Sequence, residues 1–423
     1  MKLTIMNVVL FSVLLLMANP LLVSSQTLAL EQSQELARQN YPLINQLELI
    51  QLSRDYSVEN AGKGNLPQIS ISGQATYQSD VTGFPIDLPN VVIQPIAKDQ
   101  YKVYGEISQS LTDATMINNQ KMLIQAYSDT QAQQIEVQLY QVKERVNQLF
   151  FGMLLIDQQV MQIELLKKDI QNGIKRTAAA VQNGTSLRSA VDILKAELLN
   201  VDQKDIELQA TKKGFADMMT LFIGQAISSE TKIIQPENRV IVQEINRPEL
   251  ALYQSQKQSL LIQSELISNR SIPRIYLFLQ GGYGRPALNF LSNEFELYYL
   301  GGVRMNWNIS NFYTSKRDKE ILDVNAASID LQQETFLLNT NITLSQKQQD
   351  INKYMKLMQT DKDIVELRES VKASASAQLE YGTLTSNDYL TYINAADQAR
   401  QNLILHQVQL LMAQYSYQLT SGN

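Results

Sequence analysis

Side chains that could carry out covalent or acid–base chemistry are scarce in this sequence. Its 423 residues include no cysteine and one histidine, His406. Without cysteine there is no thiol nucleophile, disulfide framework, cysteine-ligated metal site or lipid-modified N-terminal cysteine. His406 has no second histidine or acidic cluster at metal-ligand spacing, so no metal site is expected. The sequence therefore predicts neither a cofactor nor an enzymatic activity.

Two further features argue against ligand classes that proteins of this size often bind. The segment Gly281-Gly282-Tyr283-Gly284 could form a phosphate-binding loop, but no strand-to-helix transition follows it. Small residues within a tilted barrel strand explain the segment better. The net charge of −6 and the lack of a basic stripe argue against nucleic-acid binding.

The N-terminus has the layout of a secretory signal. Lys2 precedes an apolar run from Val8 to Met17, and small residues follow up to Ser25, so residues 1–25 are predicted to be a signal peptide cleaved after Ser25. The apolar run is shorter than the roughly 20 residues that a spanning helix needs, and no later segment has such a run. An exported chain of this kind can enter a membrane only as a closed barrel.

The chain is a tandem duplication. The proline landmarks of the two copies are offset by 206 residues and the glycine landmarks by 198 residues. The spacing within each half is therefore kept, and one intervening loop is shorter in the second copy. The matching landmarks are Asn40-Tyr41-Pro42 with Asn246-Arg247-Pro248-Glu249-Leu250, Leu66-Pro67-Gln68 with Ile272-Pro273, and Asn183-Gly184-Thr185-Ser186 with Tyr381-Gly382-Thr383-Leu384.

Each copy is expected to contain a helix, two strands, a long helix and a shorter return helix, in that order. In repeat 1, residues 26–222, these are predicted at 28–62, 67–78, 101–111, 112–182 and 187–222. Residues 223–245 form a linker or equatorial segment. In repeat 2, residues 246–423, the elements are predicted at 248–270, 273–284, 296–309, 311–380 and 386–419.

The strand predictions rest on a period of two. Ile69 and Ile71 alternate with Ser70 and Ser72, for example, and the strands are rich in tyrosine and glycine. This pattern is typical of outer-membrane barrel strands. Four strands cannot close a barrel, for which roughly eight are needed, and open edges in lipid are costly. Copies of the chain must therefore pool their strands, and strand counting leaves two, three or four copies open.

The long helix carries a coiled-coil seam. Apolar residues recur in alternating steps of three and four, which is the heptad pattern. About 70 residues at 1.5 Å rise span roughly 100 Å, beside which two shorter helices could stack end to end. The seam residues are Leu139, Val142, Val146, Leu149, Met153, Ile156, Val160 and Ile163.

Together these landmarks resemble the TolC family of outer-membrane efflux proteins over nearly the whole mature chain. The resemblance implies a homotrimer with a twelve-stranded barrel in the bacterial outer membrane, in contact with its lipid, and a twelve-helix periplasmic tunnel. It also implies docking to a periplasmic adaptor (membrane fusion) protein and, through it, to an inner-membrane pump. The implied function is a passive exit duct for efflux or type I secretion.

The resemblance further implies a periplasmic entrance ringed by carboxylates near the two helix turns. The family position falls at Asp388 in repeat 2 and at Ala190 in repeat 1, with Asp192 two residues later, while the second family acid falls at Thr391. Three copies of Asp388 would attract cations. The alternative is an acid at a helix start, favoured by the helix dipole.

The turns themselves are the expected adaptor-docking residues, with outward side chains such as Arg188 and Ser386. The docking residues implied by the resemblance are Asn183, Gly184, Thr185, Arg188, Tyr381, Gly382, Thr383 and Ser386.

Two other functions remain as alternatives. One is a trimeric, barrel-anchored periplasmic coiled-coil structural protein, which the duplication disfavours because an anchor needs one set of strands and one stalk. The other is a soluble helical-bundle hydrolase or binding protein, which the scattered carboxylates do not support.

Overall fold

The computed structural model describes residues 27–82 and 95–423 of the chain. The predicted signal peptide, residues 1–25, lies outside the described residues, as does the middle of the predicted loop between the first two strands. Within these residues the protein is mostly helical and contains a four-stranded sheet and a two-stranded one.

The chain divides into two compact units that do not follow the duplication. A helical unit contains the described residues up to Tyr41, Leu139–Asn246 and Thr340–Asn423, and a sheet unit contains Pro42–Gln138 and Arg247–Asn339. Each unit therefore takes segments from both repeats. The sequence-based division at 223–245 follows the duplicated order of elements, whereas the units follow tertiary packing.

The sheet unit contains four antiparallel strands and two medium-length helices. The elements are α2 (Asn45–Gly62), β2 (Gln68–Tyr77), β3 (Asp99–Ser110), α5 (Pro248–Asn269), β5 (Arg274–Arg285) and β6 (Glu296–Asn306). The strand order is β2-β3-β5-β6, so β2 and β6 are the two edges.

The two faces of the sheet differ in polarity because alternate side chains point to opposite sides. Ile71, Gly105, Gly281 and Tyr299 lie in register across the four strands. Ile71 is 83% exposed and Tyr299 is 81% exposed, and the odd-numbered residues around them are mostly apolar. The even-numbered face carries serine, glutamine, tyrosine and charged residues. The sheet thus exposes one apolar face and one polar face.

The helical unit is built around the ends of two long helices, each of which also contributes residues to the sheet unit. A two-residue parallel bridge joins β1 to β4 in this unit. The elements are β1 (Thr27–Leu28), α1 (Leu30–Asn40), α3 (Ala114–Gln182), α4 (Arg188–Ile223), β4 (Lys232–Ile233), α6 (Asn311–Glu380) and α7 (Ser386–Ser421).

The core of the helical unit is formed by the predicted seam of α3. Phe150 and Phe151, which follow the seam residue Leu149, are the largest fully buried side chains of this core. All the seam residues are buried except Val160, which is partly buried. Helix α3 is long and apolar enough to cross a membrane by length and composition, and 44% of its most apolar window is buried. Packing in the core accounts for its apolar character, as a coiled-coil seam requires.

Two predicted elements differ from the structure. The helix predicted at 28–62 is broken between α1 and α2, because Tyr41 is extended (φ −69°, ψ 122°) before Pro42, whose ring disfavours a helical residue ahead of it. The strand predicted at 296–309 ends at Asn306, since Asn308 instead accepts hydrogen bonds from the backbone and hydroxyl of Ser310 at the start of α6.

Candidate functional site at the helix turns

Helices α3 and α4 meet in a tight turn centred on Gly184. The Thr185 amide donates to the Ala180 carbonyl at 2.9 Å, and the Thr185 hydroxyl donates to the same oxygen at 3.0 Å. Gly184 has a φ of +74°, a conformation that costs other L-residues about 1 kcal/mol or more. The turn is a Schellman motif, which satisfies the last carbonyl groups of the helix.

The turn between α6 and α7 repeats this geometry. The Thr383 amide and hydroxyl both donate to the Gln378 carbonyl, at 3.0 and 3.1 Å, and Gly382 has a φ of +72°. Apart from the adjacent residues, no atom of the described part of the chain lies within 4 Å of a β-carbon added at Gly184 or Gly382. Glycine is therefore required by the backbone conformation at these turns and not by lack of space.

The first turns of the two return helices are capped differently. The Thr385 hydroxyl accepts from the Asp388 amide at 3.2 Å and donates to its carboxylate at 2.6 Å, so Asp388 is part of the N-terminal cap of α7. The equivalent residue before α4, Leu187, makes no side-chain cap. Asp388 and Asp192 are both exposed. Thr391 is exposed as well, and its hydroxyl donates to the Asn387 carbonyl at 3.1 Å.

A groove of 410 Å³ lies between the two turns. It is lined by four of the predicted docking residues, Thr185, Gly382, Thr383 and Ser386. Arg188 and Tyr381 are exposed on the surface. Ser386 is not outward: it is 5% exposed, because the first turn of α7 packs against α3 and places its hydroxyl 3.4 Å from that of Thr177.

Ionic and polar contacts join α3 to helices α6 and α7 close to the turns. Lys372 lies 2.9 Å from the Asp169 carboxylate, and the hydroxyl of Tyr389 donates to the Asp169 carbonyl at 3.1 Å. Arg176 donates to the Ser376 carbonyl at 2.8 Å and lies 3.6 Å from Glu380. These contacts hold the two turns in one arrangement.

Tyr389 is the buried phenol of this cluster. The Tyr389 side chain is 2% exposed. Loss of solvent, reinforced by the nearby Asp169 carboxylate, raises the pKa of its phenol above the ordinary value. Tyr389 therefore stays neutral and remains a hydrogen-bond donor at any physiological pH.

Sequence reasoning missed this cluster. Lys372 and Asp169 are 203 positions apart, and charged residues at helical spacing ordinarily indicate a solvated face. No local signal in the sequence pairs them.

Metal ligation is not supported by the residues that the structure describes. No group of three or more histidine, cysteine, aspartate or glutamate side chains within 27–82 and 95–423 could hold a metal ion. His406 instead contacts Asp361 through Nδ1 at 2.5 Å, which links α7 to α6.

Comparison with protein-family models and with curated proteins finds no match. Solved structures do match. The outer-membrane channel OprN has 13% sequence identity and a TM-score of 0.63, with 93% of this chain and 89% of OprN covered. The CmeC outer-membrane channel of Campylobacter jejuni has 10% identity and a TM-score of 0.63, covering 93% of this chain and 85% of CmeC.

The MtrE outer-membrane channel of Neisseria gonorrhoeae, solved in its open state, has 12% identity and a TM-score of 0.57, covering 93% of this chain and 89% of MtrE. Its match, like the two others, includes both the sheet and the long helices because it extends over almost the whole chain. The chain therefore has the fold of the outer-membrane channels of the TolC family, and the resemblance inferred from its sequence is confirmed at the level of the fold.

Proposed function

We propose that this protein is the outer-membrane exit duct of a tripartite efflux or type I secretion system. It conducts substrates passively from a periplasmic adaptor and an inner-membrane pump to the exterior of a bacterial cell. The sequence has no nucleotide-binding motif, so the pump supplies the energy. The observation that carries the proposal is a four-stranded sheet with an exposed apolar face and two edges that lack a partner strand within the described residues.

The sheet has the properties of a barrel segment. Its apolar face would be an unusually large exposed apolar patch in water but suits contact with lipid. Backbone groups at the β2 and β6 edges would cost several kcal/mol each if left unpaired in lipid. Pairing β2 of one copy with β6 of the next removes both edges. Three copies, the number that the TolC resemblance implies, give a twelve-stranded barrel.

A second surface also fits another copy of the chain. Helix α6 carries an exposed apolar stripe at Ile321, Val324, Leu331 and Leu338, with steps of three and seven residues. Heptad spacing of this kind is typical of a coiled-coil seam. This stripe is available to a helix of a neighbouring copy, so the helices as well as the strands support assembly with other copies of the chain.

The helix turns are the proposed docking site for the periplasmic adaptor. The groove between them is lined on both sides by short polar residues and by apolar ones such as Leu187 and Leu384, and it is open to solvent. An adaptor hairpin that inserts between the turns could contact Arg188 and Tyr381, which are exposed.

Asp388 is the proposed acid of the periplasmic entrance. Its carboxylate is exposed at the first turn of α7, and three copies near an axis would concentrate cations there. Thr391 adds no charge, and Asp192 is the acid of the first repeat. In planar bilayers, we expect Asp388→Asn to lower cation selectivity and weaken block by multivalent cations. Asp388→Glu, which keeps the charge, is the matched control, and unchanged selectivity and block in Asp388→Asn would remove Asp388 from the entrance.

The function is tested by conductance of the purified mature protein in planar bilayers. We expect long-lived channels that appear in equal conductance steps, because each inserted trimer would form one pore. A protein that inserts as a trimer but never conducts would support the barrel-anchored structural protein instead. A protein that stays monomeric in buffer without detergent would contradict both assignments.

A further inference from the structure

A glutamate and an arginine on the polar face of the sheet form an ion pair that spans three strands. Glu106 on β3 opposes Gln280 on β5, and Arg304 on β6 opposes Tyr276 on β5. Strand β5 therefore lies between the two charged residues. The Arg304 guanidinium nevertheless reaches Glu106 with two hydrogen bonds, at 3.0 and 3.2 Å.

The surroundings hold this pair in a fixed geometry. The Gln280 amide donates a third hydrogen bond to the Glu106 carboxylate, and the Arg304 guanidinium stacks on the ring of Phe278, 4.4 Å from its centroid. A side chain at Gly302 would meet that ring at 3.3 Å, so glycine leaves room for it. A bidentate, stacked arginine is among the better-ordered ion pairs that a surface can carry.

The exposure of the two charges is unequal. The Glu106 side chain is 14% exposed, whereas that of Arg304 is 48% exposed. Glu106 thus lies under a cover formed by Arg304 and Gln280. Any solute moving along the polar face meets the arginine first, with its charge balanced by the carboxylate beneath it.

The other charges on this face already occur as opposite neighbours. Arg274 lies 3.8 Å from Asp113, while Lys102 and Glu296 both oppose Gly284 from the strands on either side of it. Removal of Arg304 would therefore leave one uncompensated carboxylate on the polar face of each chain. Removal of Glu106 would leave one uncompensated guanidinium.

We propose that the Glu106–Arg304 pair sets the ion selectivity of the strand region, with Arg304 cancelling a carboxylate on the wall of the duct. The inference rests on the proposed function, in which the polar face lines the lumen. Take three free carboxylates about 10 Å from an axis in water, with about 0.1 M salt, where this distance is one Debye length. They change the ratio of cation to anion permeability about fivefold.

The test is the reversal potential across planar bilayers under a salt gradient. We expect Arg304→Gln to raise the cation-to-anion permeability ratio about fivefold and Glu106→Gln to shift it toward anions. The Arg304→Lys control keeps the charge and should stay close to wild type, as should the double variant Glu106→Gln/Arg304→Gln. Conducting variants with unchanged selectivity would overturn the inference while leaving the duct intact.

Folding is checked by the oligomeric state of each variant in detergent. If Arg304→Gln does not assemble, Glu106→Gln alone decides, and a selectivity equal to wild type would refute the proposal. A wild-type protein that does not conduct at all would instead refute the proposed function, so the two failures are distinguishable.

Discussion

Replacement of Gly173 by alanine tests the packing between α3 and α7 near the turns. A β-carbon at this position would lie 2.6 Å from Cε1 of the Tyr389 ring and 3.3 Å from its Cδ1. The ring is buried and cannot retreat freely, since its hydroxyl donates to the Asp169 carbonyl at 3.1 Å. The added methyl group must therefore displace the ring and weaken that hydrogen bond.

Three contributions determine the change in the free energy of unfolding. Exchanging glycine for alanine inside a helix gains about 1 kcal/mol. Overpacking a well-filled site costs about 1–3 kcal/mol, and loss of a buried hydrogen bond costs about 1 kcal/mol more. The net expectation is a destabilisation of about 1–3 kcal/mol.

Gly214 provides the matched control. It also lies inside a helix, α4, but no described atom beyond the backbone of that helix comes within 4 Å of a β-carbon added there. Gly214→Ala should therefore raise the free energy of unfolding by about 1 kcal/mol, the gain in helix propensity alone. Thermal unfolding of both variants in one detergent, at one scan rate, should shift the midpoint in opposite directions.

Two results would refute the reasoning on Gly173. An unchanged or raised midpoint in Gly173→Ala would show that the Tyr389 ring yields without cost. A cost in Gly173→Ala that is not reduced when Tyr389 is replaced by leucine in the same chain would show that the two residues are not coupled.

The remaining predictions concern protonation and capping. Burial raises the pKa of Asp397, against a 2.9 Å bond from Gln162. The protonated form of Asp397 favours the folded state. This contribution to stability is complete below about pH 4 and is lost as the pH rises through the raised pKa. Asp397→Asn should therefore melt higher than wild type at about pH 7 but not at about pH 4; equal midpoints at both would contradict this. Thr385→Ala should lower the free energy of unfolding by about 1 kcal/mol, because the N-terminal cap of α7 is lost. Leu187→Thr should raise the stability, because Leu187 holds the equivalent position before α4 and has no side-chain cap. Unaltered melting temperatures of both variants would refute the capping account.

Local patterns account for what the sequence could predict. The alternation around Ile71 indicates a sheet with two different faces. The steps of three and four between Leu139 and Ile163 indicate a helix with a buried stripe. Gly184 and Gly382 indicate turns because a positive φ is nearly confined to glycine. None of these inferences needs knowledge of which elements touch.

Tertiary contacts were beyond such patterns. The pairing of Arg304 with Glu106 joins residues 198 positions apart, and its diagonal course depends on where Phe278 and glycine leave space. The two-residue bridge at Lys232 is too short to show a period. The helix break at Pro42 did have a signal, a proline within the predicted helix, but apolar spacing continues past it.

The account depends most directly on β2 and β6 pairing between copies of the chain in the membrane. Because the chain has no cysteine, Ile71→Cys can be combined in turn with Leu297→Cys, Tyr299→Cys or Val303→Cys. Within one chain two strands separate β2 from β6, roughly 14 Å at the usual strand spacing, which is too far for a disulfide. Oxidation in membranes should yield covalent species of two and three chains for at least one pair. Absence of such species at every pair, with all cysteines reactive toward a maleimide, would contradict the shared barrel, and a ladder beyond three chains would contradict the trimer.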